Sequence, residues 1–488
     1  MQRAATGRPT ASVETGRMTE TRVTGDVSAG RVKKHRCLAV RTSEIEARAT
    51  LEWGIFPERR DFHQEGYIAL PITNAAIPPA TMTQIADTLV VLFTRGMSLR
   101  EWATSGMLSR ELAIYRRLLD VFGRVVFVTY GDRGESRFLD ESMSPSESGR
   151  MAVCGNEPRL PIDDFEATLP TRLEGLLKTD RTVVVKSNQM SCFAGAVGLV
   201  ASLGQGGRKV ALVARGGYLW SRLAAHTMGP DSAEAVEAAM REGGLCRAAA
   251  IVVGTTQEMV NDLSWRYTLN ADATRVVPNY VVIADPPTLP AERERNLVLY
   301  AGQLAPVKRV HLLIEAIAIV KASMGEGPVL EIIGAGPERE RLVAHAKTLE
   351  APVVFRERIP HQELVRRMAR CAVYVQASET EGHPKTVIEA MATGAPVIVA
   401  DTPGLGDVVT HGATGLRLPA EPRVFAHAIE SLLGDEDWRE LLGSAAATAA
   451  RSQYSLDRVV AMEIEAHRAA LVRAGVGEGA PVAERAAA

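Results

Sequence analysis

Glu381 and Glu389 stand eight positions apart in the run SETEGHPKTVIE (378–389), flanking a glycine and a proline and leading into an apolar stretch. Each carboxylate can accept hydrogen bonds from hydroxyl groups, but one on a loop and one along a helix cannot reach the same atoms. Pro384 suits the first turn of a helix, where its missing N–H has no partner to lose, and Val387, Ile388, Ala390 and Met391 continue an apolar helical pattern. The strand-like run AVYVQ (372–376) would deliver a loop carrying Glu381, Gly382 and His383 to that helix start. Unpaired N–H groups and a partial positive charge make a helix start a seat for phosphate, and Gly382 lets the backbone come close. A ligand touching both carboxylates must be long. A nucleotide sugar fits, with its diphosphate between a ribose and a hexose that both present hydroxyls. The plain alternative, an acidic loop followed by a surface glutamate, stays open on these residues alone.

Two repeating patterns would carry such a loop. From about 84 to 282, apolar runs such as DTLVVLFT, RVVFVTY, TVVVK, KVALVAR and AAIVVG alternate with helical stretches, the first of them predicted over 105–123. From about 296 to 455 the alternation repeats with NLVLYAG, VLEIIG, VVF, AVYVQ and PVIVA. Near-continuous apolar strands between helices predict parallel sheets covered on both faces, hence two Rossmann-like domains. The length of 488 residues agrees with two cores, and 46% hydrophobic residues, 23% charged residues and a formal net charge of −2 describe a globular enzyme without the charge field that nucleic acid requires. The five cysteines, Cys37, Cys154, Cys192, Cys246 and Cys371, are scattered without C-x-x-C spacing and read as reduced thiols. With no secretory or membrane-spanning run found, a cytoplasmic protein is expected. Residues 1–80 are rich in Arg, Thr, Ala, Gly and Glu and read as a disordered or non-conforming extension. One expectation is that translation starts near Met82.

The run EGHPKTVIEAMATGAPVIVAD resembles the E-x7-E signature of glycosyltransferase family 4. NLVLYAGQLAPVKRVHLLIEAI (296–317), VLEIIGAGPERERL (329–342), FRERIPHQELVRRMARCAVYVQAS (355–378) and HGATGLRLP (411–419) resemble the same family's segments in order. The matches extend over roughly 120 residues, too many for chance. The resemblance implies the GT-B architecture: an N-terminal domain at 84–282 facing the acceptor, a linker at 283–295, and a C-terminal nucleotide-sugar domain at 296–455. It also implies a helix at 456–473 that packs back on the first domain; the tail at 474–488 reads as disordered. The implied activity is sugar transfer from a nucleotide-diphosphate sugar to a glycan, lipid-linked or small-molecule acceptor, in polysaccharide or glycolipid biosynthesis among others. Anomeric configuration would be retained by front-face attack, with no metal and no other cofactor.

Carried onto this chain, the family pattern assigns Glu381 and Lys308 to catalysis, with Glu381 on sugar hydroxyls and Lys308 on the diphosphate. Glu389 is assigned to the ribose. Gly302, Gln303, Gly334, Gly336, Gly382, His383, Val387 and Ile388 complete the expected donor site. Departures are visible. Gln303 stands where many relatives carry arginine, and Glu357 stands where glycine is common near the nucleobase edge. Arg215 in ARGGYLW could supply the missing cation from the other domain, and a structural arginine is the equal alternative. In the N-terminal domain, Gly106 corresponds to the family's glycine loop. Asn188 and Gln189 in KSNQM occupy the place where relatives often carry a histidine, and the one histidine between 84 and 282, His226, lies in a segment that does not match. Asp435 to Asp437 is the one D-x-D string, and helix capping is its natural reading. Arg95, Arg100, Arg110, Arg116, Arg117 and Arg124 cluster around the first N-domain helix. If they share an exposed face, the inner surface of a membrane with anionic lipid is an expected partner. Two rival readings are a noncatalytic sugar-nucleotide binder, motivated by Gln303 and Glu357, and a nucleotide-sugar epimerase on the same fold.

Overall fold

The structure is a computed structural model that describes residues 83–282, 293–325 and 327–476. The 1–80 extension, Met82, most of the 283–295 linker and the tail beyond 476 lie outside the described residues.

Two parallel sheets organise the chain. The first has the order β3-β2-β1-β4-β5-β6-β7, with β1 Ala86–Leu92, β2 Phe122–Val128, β3 Met151–Cys154, β4 Thr182–Ser187, β5 Lys209–Arg215, β6 Ile251–Gly254 and β7 Thr274–Val276. The second has the order β10-β9-β8-β11-β12-β13, with β8 Glu294–Ala301, β9 Val329–Ile333, β10 Val353–Arg356, β11 Cys371–Gln376, β12 Val397–Ala400 and β13 Leu416–Leu418. In β1 the fully buried Leu89 and Val91 enter the core on one face of the sheet, and Val90 and Leu92 enter the core on the other. This two-sided burial is why the strand reads as an unbroken apolar run. Strand order reverses between β1 and β4 and again between β8 and β11, which opens a crevice at the carboxyl end of each sheet.

The single helix predicted over 105–123 is two helices, Leu99–Thr104 and Leu108–Leu118. Ser98 starts the first with a capping box to Glu101, and Gly106, at φ +73°, breaks the pair in the left-handed region that favours glycine. Four elements carry no clear pattern in the sequence: β3, the Leu99–Thr104 and Glu135–Asp140 helices, and the Trp220–Met228 helix. Each is short, and local propensity over so few residues is a weak signal. Asp435 caps the Glu436–Tyr454 helix by accepting from the Trp438 N–H at 2.9 Å.

The Leu456–Arg473 helix packs on the first domain, placing Val459, Val460, Ile464, Ala470 and Leu471 in that domain's core. The two passages between domains are tied together where the Val281 N–H donates to the Tyr454 carbonyl at 2.8 Å. The Cys154, Cys192, Cys246 and Cys371 thiols are buried and unbridged.

Candidate functional site

Between the two crevices lies a cavity of about 730 Å³ with walls from both domains. On the second domain's side, the turn at Pro306–Lys308 brings up Lys308, and the loop after β11 brings up Glu381. Lys308 Nζ donates to Glu381 Oε1 at 2.7 Å, and Gln376 Nε2 donates to the same oxygen at 2.8 Å. Gln376 is oriented in turn by the Tyr374 hydroxyl at 3.1 Å, so a buried chain of side chains fixes the carboxylate. Directly after this loop begins the Lys385–Ala392 helix. Its start meets the first domain so closely that a Cβ on Gly382 would overlap the Gly217 carbonyl.

His383 is buried at the same junction. Its Nδ1 accepts from the Asn279 N–H at 3.3 Å, and Asn279 Nδ2 donates to the His383 carbonyl at 2.8 Å. Burial, with Arg215 and Lys385 nearby, pushes the imidazole down to about 3, so the ring is neutral with its proton on Nε2.

The first domain's wall is built differently. Lys186 at the end of β4 donates to Glu463 Oε1 at 2.9 Å, and Arg215 Nε lies 3.3 Å from that oxygen. Glu463 sits on the Leu456–Arg473 helix, so the end of the chain contributes to the cavity wall. Burial works against the Glu463 charge, but Lys186 and Arg215 outweigh it and hold the carboxyl at about 2. Burial pulls the Lys186 ammonium down, with Glu463 opposing. His467, one turn along the helix and fully buried beside this group, is pushed down by burial to about 4. Arg215 also reaches Asn279 Oδ1 at 3.3 Å, and Gln189 Oε1 accepts from the Gly217 N–H at 2.8 Å.

Of the residues singled out from the sequence, Gln303, Lys308, Glu381, Gly382, His383, Asn188, Gln189 and Arg215 line the cavity. The others are placed elsewhere. Val387 and Ile388, assigned to the donor from the sequence, are fully buried in the second domain's core, and both amides donate to the Pro384 carbonyl. A Cβ on Gly334 would overlap the Gly302 carbonyl, and one on Gly336 the Leu304 carbonyl. These glycines let the loops after β8 and β9 cross, and Gly302, Gly334 and Gly336 do not reach the cavity. Gly106 packs on the other domain, its would-be Cβ 3.1 Å from the Ile359 carbonyl oxygen, away from the cavity. Glu389 also does not face it: Oε1 accepts from Arg110 Nη1 at 3.1 Å and from His361 Nε2 at 2.9 Å.

The six arginines of the expected basic face are found in ion pairs. Arg95 pairs with Asp163 and Glu166, Arg100 with Asp132, Arg110 with Glu111 and Glu389, Arg116 with Glu147, Arg117 with Asp457, and Arg124 with Asp180. Each of these guanidinium groups is thus matched to a carboxylate. No described helix is long and apolar enough to cross a membrane. Glu357 turns outward to Arg339 at 3.1 Å. His226, set aside on the sequence, lies on the cavity wall with Nε2 3.5 Å from Glu379. Lys186, Lys385 and Glu463 were missed. The available signal was a charged residue at an apolar position of a strand or helix, Lys186 ending TVVVK and Glu463 within the face formed by Val459, Val460 and His467.

Residues 283–449 match the family model for glycosyl transferases group 1. A D-inositol 3-phosphate glycosyltransferase of Jonesia denitrificans is 28% identical over 256 residues, covering 48% of this chain and 60% of the relative. The chain thus spans less than two thirds of the length of that curated relative. Among solved structures, Anabaena HepE in complex with UDP and glucose superposes with a TM-score of 0.60 at 18% identity, over 78% of this chain and 98% of that one. A sucrose-phosphate synthase from Thermosynechococcus elongatus does so with a TM-score of 0.58 at 17% identity, again over 78% and 98%. The architecture is GT-B.

Proposed function

We propose that the chain is a retaining glycosyltransferase of family 4 type that moves a hexosyl or N-acetylhexosaminyl group from a nucleoside-diphosphate sugar to a hydroxyl acceptor. The observation that carries this reading is the meeting of Lys308 and Glu381 at 2.7 Å on the cavity wall, beside the start of the Lys385–Ala392 helix. In the reaction the bond from the anomeric carbon to the diphosphate oxygen breaks, and the acceptor oxygen bonds to the same face of that carbon. The leaving diphosphate oxygen takes the acceptor's proton. Charge growing on the diphosphate is met by Lys308 and by the helix N-terminus, and Glu381 holds sugar hydroxyls. No metal is given a role. His383 is neutral with Nδ1 engaged, so it positions rather than removes protons. Asn188, Gln189 and Arg215 form the acceptor side, for a glycan, glycolipid or small molecule.

The test is sugar release from UDP-, GDP- and ADP-glucose, with the anomer followed by NMR. One nucleotide class should be turned over with the configuration kept, and Lys308→Ala should slow turnover by about 10²- to 10³-fold. An inverted product would overturn retention. The second reading, a sugar-nucleotide binder without turnover, is favoured by Gln303 and by the engagement of Glu389 with Arg110. Tight nucleotide binding with no hydrolysis and no transfer would select it.

A further inference from the structure

One short segment of the first domain, from Gly106 to Glu111, meets the second domain at three successive places. Gly106 lies on the Ile359–Pro360–His361 backbone, the edge where the family pattern expects the nucleobase. Arg110 lies on Glu389, the carboxylate expected at the ribose. Glu111 lies on Lys385, whose Nζ donates to Glu111 Oε1 at 2.6 Å. Lys385 is the first residue of the helix whose N-terminus would seat the diphosphate, and it lines the cavity. Base edge, ribose carboxylate and phosphate end are therefore covered in nucleotide order by one short segment, the loop glycine Gly106 and the neighbouring Arg110 and Glu111 at the start of the Leu108–Leu118 helix.

The chemistry of each cover matches what it hides. A carboxylate against an ammonium stands where a phosphate oxygen would stand, and guanidinium N–H groups against a carboxylate stand where ribose hydroxyls would donate. Arg110 Nη2 also holds Glu111 Oε1 at 2.9 Å, and the Tyr280 hydroxyl donates to the Arg110 carbonyl at 2.6 Å, so the two side chains present a fixed, paired surface. Glu389 Oε2 is buried with no hydrogen-bond partner, although Oε1 has two. A buried carboxylate oxygen left unmatched is unfavourable, and a second ribose hydroxyl would satisfy it. Burial works against the Glu111 charge, but Lys385 and Arg110 hold it at about 2, so the stand-in stays anionic across the working pH range.

We propose that Lys385 binds the donor diphosphate, and that Glu111 and Arg110 stand in for the nucleotide on Lys385 and Glu389 until the donor displaces them. This rests on the donor reading above. Donor binding is then an exchange of partners, and donor affinity is set as much by the first domain's segment as by the second domain's contacts.

Calorimetric titration of the full chain with UDP, GDP and ADP, and with the corresponding nucleosides, tests it. Glu111→Gln should tighten binding of the preferred diphosphate by about tenfold and leave nucleoside binding unchanged, because only the phosphate competes with Glu111. Arg110→Met should tighten both, and Lys385→Met should weaken the diphosphate alone by about tenfold. In the double variant Glu111→Gln with Lys385→Met, the gain should vanish, which a merely structural effect would not produce. Weaker binding in Glu111→Gln and Arg110→Met would identify the closed cleft as the donor-bound form and overturn the stand-in. An unchanged diphosphate affinity in Lys385→Met would remove Lys385 from the site. Binding that ignores Glu389→Gln would overturn the ribose assignment while leaving a nucleotide site. No binding to the parent or any variant would overturn the donor reading itself, and the exchange with it.

Discussion

The two walls of the cleft are positioned by opposite means. On the second domain's wall, Lys308, Gln376 and Glu381 come from adjacent strand ends and interlock through hydrogen bonds among themselves. On the first domain's wall, Lys186 is fixed by Glu463, 277 residues away in sequence, and Glu111 by Lys385, 274 residues away. One wall is local in the sense that it is built within a single domain, although Lys308 and Glu381 are 73 residues apart, and the other is a set of far longer-range pairs. A local motif can lose a side chain and keep its fold, whereas a buried charge that loses its partner threatens the fold itself.

The largest break of the second kind is Glu463→Ala. Lys186 and Arg215 would be left as buried cations without their shared carboxylate, and roughly 3–5 kcal/mol of stability should be lost. Urea unfolding would read it, with the Leu456–Arg473 helix becoming sensitive to protease first. If the midpoint hardly moves, the first wall does not depend on that distant pair. Gly382→Ala is the matching break on the local wall. Its φ is not left-handed, so the backbone tolerates alanine, but the new Cβ must displace the Gly217 carbonyl and hold the walls apart. Transfer should fall by about a hundredfold with a small change in stability, because misplacing the reacting groups is enough to lose rate. Gly217→Ala is the milder control, since its Cβ would meet the end of the Gln189 side chain, which can shift. Equal losses in both would mean that the walls need not touch for transfer.

This asymmetry also explains what could be read from the sequence. Glu381, Lys308, Gln303, Gly382 and His383 were legible because each lies in one of two short strand–loop–helix segments, after β8 or after β11, whose pattern shows locally. Gly334, Gly336, Val387 and Ile388 stand in the predicted loops and helix but pack against other parts of the chain. A pattern marks where a loop must be glycine or a helix apolar, without saying whether a ligand or another part of the chain lies against it. Lys186, Lys385, Glu463 and His226 were not legible as wall residues, because nothing local relates Lys186 to a helix that returns from the end of the chain. The same holds for the six arginines, each of which has an acidic partner on another element, with Glu111 and Asp120 as additional near neighbours of Arg110 and Arg117.

The smallest expected effect is a pH dependence to which each wall contributes one buried histidine. Both have an ordinary value of 6.5, and burial holds His383 at about 3 and His467 at about 4 in the folded protein. Between these values the unfolded chain binds more protons than the folded one, so stability present above about pH 6.5 is lost as pH falls. By pH 5 each histidine should have removed up to about 2 kcal/mol. His311 and His411, partly exposed and also lowered by burial, act in the same direction more weakly. Glu111 and Glu463, held at about 2 against an ordinary 4.5, add their loss only at lower pH. Between about pH 6.5 and 4.5 the downward slope of urea stability therefore comes from the histidines, with Asp407, raised by burial, working in the opposite direction. His467→Gln should flatten it by about half while leaving nucleotide affinity alone. His383→Gln should flatten it as much, but should also loosen the junction with Asn279 and slow transfer. If His467→Gln leaves the slope intact, the histidine is charged inside the folded protein. Glu463 then answers three cations rather than two, and the distant pair on the first wall is more strongly charged than its geometry with Lys186 alone requires.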